Sequence, residues 1–127
     1  MKSKTVELEA CTVTLREDGI IHVHIKDHTE MKLADAARLI EAIGEMGNNE
    51  KFPVLVDCGE FSAVDREARI LFADKEANIF SEADAIAYHS LAHKLFADFY
   101  VKHYKPQVPT KIFQNNESAI EWLKGFL

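Results

Sequence analysis

Apolar and polar positions change period several times along the chain, and each change marks an element. From Val6 to Arg16, the apolar residues Val6, Leu8, Val13 and Leu15 nearly alternate with charged or hydroxyl residues. The phase shifts around Ala10 and Cys11, as a bulge or bend would shift it. Glu17-Asp18-Gly19 reads as a hairpin turn, because Gly19 tolerates positive φ. Ile20 to Lys26 then alternates cleanly, with Ile21, Val23 and Ile25 on one face and His22, His24 and Lys26 on the other. The pattern predicts an antiparallel pair with one wet face.

Leu33 to Met46 switches to helical spacing through Leu33, Ala36, Ala37, Ile40 and Ile43, and Gly47-Asn48-Asn49 supplies a stop. Phe52-Pro53-Val54-Leu55-Val56-Asp57-Cys58-Gly59 has no polar alternation until its end. A strand buried on both faces reads this way, and it is the expected centre of the sheet. Asp65 is the expected N-cap of a second helix running to Phe80. Its apolar residues cover more than one stripe, so the helix is either wedged deep or turned to a partner. Ala83 to Tyr88 is a weak strand. Ser90 caps a third helix through Tyr104, with Leu91, Leu95 and Phe99 as its expected core stripe. Pro109 to Gln114 is a short strand near a sheet edge, and Asn115-Asn116 opens a last helix. The junction from Gly59 to Arg66 follows the central strand, where α/β folds place working groups.

The chain has 127 residues, enough for one domain with its own core. A net charge of −6 argues against nucleic acid as a partner. The amino-terminal residues carry no apolar signal region, and no run reaches membrane-spanning length, so cytoplasmic residence and no integral membrane segment are expected. Cys11 and Cys58 read as reduced core residues.

Candidate chemistry is sparse. His22 and His24 point the same way and could share a zinc, but no Cys or carboxylate stands at a ligand spacing. His89 and His93 are four apart, yet Ser90-Leu91-Ala92 lies between them and the glutamate of a zinc-protease motif is missing. Asp57 could serve as a general base or metal ligand, but strand-end carboxylates more often cap backbone donors or pair with an arginine, here Arg66 or Arg69. No phosphate loop and no nucleophile motif occurs. These residues predict no enzyme, no metal and no cofactor. Phe72, Phe80, Phe96, Phe99 and Tyr100 form an aromatic set on two helices, read as core and dimer rim or as the walls of an apolar ligand pocket.

Three stretches carry a family resemblance: Pro53-Val54-Leu55-Val56-Asp57-Cys58, Phe61-Ser62-Ala63-Val64-Asp65, and Val108 to Phe113 followed by Glu117 to Leu123. With the element order, they make the chain resemble the STAS (anti-sigma-factor antagonist) fold, particularly its SpoIIAA-like branch, which also looks related to CRAL/TRIO-type lipid-transfer domains. The resemblance implies a single α/β domain over residues 1–127, with a mixed sheet of about five strands and four helices packed largely on one side. It implies a non-enzymatic module that meets a protein partner through Glu60, Phe61, Ser62, Asp65, Arg66 and Arg69. The family's phosphorylated Asp-Ser-Ser or Asp-Ser-Gly is replaced here by Asp65-Arg66-Glu67, so the resemblance carries no phosphoserine switch. The alternative is a carrier or sensor of a lipid or other small apolar ligand. A homodimer is expected on either reading, because the apolar residues outnumber what four short helices can hide.

Overall fold

The computed structural model describes residues 2–127. Eight strands and four α-helices follow one another as β1 (Lys4–Glu7), β2 (Cys11–Leu15), β3 (Ile21–Ile25), β4 (Glu30–Met31), α1 (Leu33–Met46), β5 (Phe52–Cys58), β6 (Ala63–Val64), α2 (Arg66–Ala73), β7 (Ser81–Ala87), α3 (Leu91–Tyr104), β8 (Thr110–Phe113) and α4 (Asn116–Leu123). The main sheet has six strands in the order β1-β2-β3-β5-β7-β8. Its first three strands form an antiparallel meander, and β3, β5, β7 and β8 run parallel. The central position of β5 and the edge position of β8 agree with the sequence reading.

The differences have local causes. The phase shift at Ala10 and Cys11 is a tight reversal rather than a bulge, so one expected strand is two, paired from Lys4↔Leu15 to Glu7↔Thr12. This raises the main sheet from about five strands to six. The two-residue ladder between β4 and β6 carries no periodicity that could announce it. Helix α2 stops at Ala73, not Phe80. Asp74 turns to extended backbone, and the Asn78 side chain donates to the Phe72 carbonyl at 3.2 Å, closing the last turn from outside. Phe80, freed from the helix, lays its ring on Gly44 of α1, where a Cβ would come within 2.5 Å of it.

The pleat sorts the sheet into two faces. Val23 and Ile25 of β3, Val54, Val56 and Cys58 of β5, and Asp84 and Ile86 of β7 face α1, α2 and α3. Leu55, Ala83, Ala85 and Ala87 face α4, joining Ala119 and Leu123 in a second core. The three alanines of β7 let that helix approach closely. Helices α2, α3 and α4 are capped by Asp65, Ser90 and Asn115, each accepting a backbone N–H three residues on. The α3 stripe runs opposite to expectation. Leu91 (72 % exposed), Leu95 and Phe99 look outward, and only Ala97 of this helix is buried. Among the described residues, no helix is long and apolar enough to cross a membrane.

Candidate functional site

Between the sheet and helices α1, α2 and α3 lies a cavity of about 430 Å³. Its floor is aliphatic, from Val23, Val54, Val56 and Ile86, and its walls come from Met31, Leu39 and Ile43 on one side and Phe72, Phe96 and Tyr100 on the other. Phe72, Phe96 and Tyr100 thus line the cavity. Phe80 packs against α1 instead, and Phe99 lies outside with its ring on His103 at 4.4 Å.

Two polar regions interrupt the apolar lining. At the level of Val54, Asp84 of β7 reaches into the cavity beside Ser81, whose hydroxyl donates to its carboxylate. Asp84 is half-buried and open on one side to the cavity. Burial pushes the Asp84 carboxyl up to about 6, with the Ser81 hydroxyl partly offsetting it. Burial, reinforced by the Asp84 charge, also raises the Tyr100 phenol. Toward the carboxyl ends of the strands, Ser62, Asp65, Arg66, Arg69 and His93 also line the cavity. The Ser62 carbonyl can only accept, so the His93 Nε2 that lies 2.9 Å away carries the proton. Its buried Nδ1 then has no partner.

The loop after β5 spreads the expected partner-binding residues over different environments. Gly59 packs so closely on β3 that a Cβ would fall 2.2 Å from the Ile25 carbonyl. The Asp27 carboxylate accepts from the Glu60 amide at 2.8 Å. Thus pinned, Phe61 adopts φ 55° and points out, 73 % exposed, with its ring stacked on His28 at 5.3 Å. Glu60 and Arg66 are exposed beside it. Ser62 is buried, Asp65 accepts from the Ala68 amide, and Arg69 donates to the Val64 carbonyl at 2.6 Å and the Tyr104 hydroxyl at 3.3 Å. Three of the six are therefore at the surface and three hold the loop and α2 in place.

On the other face of the sheet, Asp57 gathers a cluster that linear spacing does not reveal. Its Oδ2 lies 3.3 Å from His22 Nε2, 3.2 Å from His24 Nδ1 and 3.2 Å from the Asn116 amide nitrogen, and its Oδ1 lies 2.6 Å from His89 Nε2. Burial alone would raise this carboxyl. The hydrogen bonds from His22, His89, Asn116 and His24 outweigh it and hold Asp57 well below the usual carboxylate range. Neither Arg66 nor Arg69 pairs with it. The signal was the parallel register His24↔Asp57, which alternation alone cannot supply because β3 and β5 are joined by a whole helix. Among the described residues, no three His, Cys, Asp or Glu side chains are arranged to hold a metal ion. Cys11 and Cys58 are both free, and burial, reinforced by the Asp57 charge, pushes the Cys58 thiol up to about 12.

The whole architecture is that of a SpoIIAA-like fold. An uncharacterized protein of the DUF3478 family from Shewanella loihica PV-4, with a SpoIIAA-like fold, superposes with a TM-score of 0.55 at 10% identity, covering 95% of this chain and 91% of its own. At that identity the likeness shows the fold alone. No curated protein sequence matches the chain. Residues 14–127 match the model of the domain of unknown function DUF7793, and the chain belongs to that family.

Proposed function

We propose that this protein is a non-enzymatic binding domain whose cavity between the sheet and helices α1–α3 holds a small, largely apolar molecule. The observation that carries this reading is the cavity itself, about 430 Å³ and lined by aliphatic and aromatic side chains. That volume falls within the roughly 300–1,000 Å³ of small-molecule sites. A packed core would have closed it, because unfilled space forfeits dispersion contacts.

Protein purified without detergent should carry an apolar adduct in native mass spectrometry, or bind N-phenyl-1-naphthylamine with enhanced fluorescence. Ile86→Phe, which places a ring inside the cavity, should reduce either signal at least tenfold while the fold persists by circular dichroism. No adduct and no dye binding in the natural protein would end this reading, as would unchanged binding by Ile86→Phe.

A second reading, a protein-interaction module, is favoured by Phe61. A bulky residue in left-handed backbone, exposed like Glu60 and Arg66 with its ring stacked on His28, stores strain of about 1–2 kcal/mol. Phe61→Gly should raise stability by about 0.5–1 kcal/mol in urea titrations and abolish capture of the partner. A destabilised Phe61→Gly would mean that the ring serves the fold. The outward stripe of Leu91, Leu95 and Phe99 is the surface on which a second copy would dock.

A further inference from the structure

One polar group on the cavity wall, Asp84, is an acid without a counter-charge. Among the described residues no Lys, Arg or His lies within ion-pair distance of Asp84, and the only hydrogen bond to its carboxylate comes from Ser81. That bond occupies Oδ1, leaving Oδ2 without a protein donor. The nearest elements offer no substitute. Tyr100 of α3 stands close but gives Asp84 no hydrogen bond, and Asn78 is turned to the Phe72 carbonyl. Arg69 is committed to Val64 and Tyr104, and Arg66 stands on the first turn of α2 beyond the carboxyl end of β5, whereas Asp84 lies level with Val54. An ionised carboxylate in apolar surroundings is strongly unfavourable unless a cation joins it.

Resting on the cavity reading above, we propose that the ligand is an amphiphile with an amine head, its ammonium seated on Asp84 and its chain on the aliphatic floor. An ammonium supplies both the missing charge and a donor for Oδ2, whereas a carboxylate head would meet Asp84 as a like charge. The volume equals about fourteen waters at ~30 Å³ each, which suits a straight chain of roughly ten to twelve carbons.

Isothermal titration calorimetry with dodecylamine, dodecanol and dodecanoate, all below their aggregation concentrations, tests this directly. Dodecylamine should bind at least tenfold more tightly than either of the others. Asp84→Asn should bring it down to the level of dodecanol, with circular dichroism showing that the variant is folded. Ser81→Ala, which keeps the charge, should retain the amine preference. Equal or tighter binding of dodecanoate or dodecanol by the natural protein would overturn the assignment while leaving the cavity reading intact. So would an amine preference that survives Asp84→Asn, since the acidic surface would then explain it. Binding of none of the three would overturn both.

Discussion

Asp57 and Asp84 sit on adjacent central strands, on opposite faces of one sheet, and their surroundings push them in opposite directions. Asp57 has four donors, so its folded carboxyl titrates below its unfolded value. Its stabilising effect is present above about pH 4 and is lost as the pH falls toward the folded value. Asp57→Asn should therefore cost about 2–3 kcal/mol at pH 7, the worth of hydrogen bonds to a charged acceptor, and the gap should narrow below about pH 4. Asp84 has the reverse sign. Its folded carboxyl is raised to about 6, so the unfolded chain releases that proton first and stability falls as the pH rises from about 4 to 6. Asp84→Asn should then be more stable than the natural protein at pH 7 by no more than about 3 kcal/mol, with no difference below about pH 4. Urea titrations of the three proteins across this range check both signs at once.

At the scale of elements, α1 and α3 show what periodicity can and cannot tell. The α1 stripe reads only in part: Ala36 and Ile43 are buried and Ile40 half-buried as expected, but Leu33 and Ala37 are exposed, and Leu39, Ala42 and Met46 complete the buried face. Its Gly44 then admits the Phe80 ring, a contact supplied by a loop that no helical pattern contains. Gly44→Ala should cost about 1–3 kcal/mol through that clash, despite the better helix propensity of alanine. If the melting temperature rose instead, Phe80 would have to be free to move aside. In α3 the expected stripe of Leu91, Leu95 and Phe99 marks the outer face, while Phe96, Ala97 and Tyr100 turn to the cavity over which the helix stands. Sequence reasoning assumes that apolar residues fill space. It fails where the fold keeps space open.

For the whole molecule, the order of the longer elements and the central place of β5 were legible because most strands of the main sheet and every helix announce themselves within about ten residues. The sites were not, since they depend on register between strands far apart in sequence. His22, His24, Asp57, His89 and Asn116 come from four separate parts of the chain. Cavity residues such as Ser81 and Asp84 look like ordinary strand polarity until their face is known. The alternation within β5 has a further effect on how the chain folds. Val56 and Cys58 belong to the apolar side and Asp57 to the side of the histidines. Were β5 to pair one residue out of step during folding, Asp57 would be thrust among aliphatic groups and Cys58 among imidazoles. Each misalignment would thus incur an unpaired buried charge and an empty acceptor site together. The strand carries its own proofreading: chain segments that assemble off by one have every reason to come apart and try again.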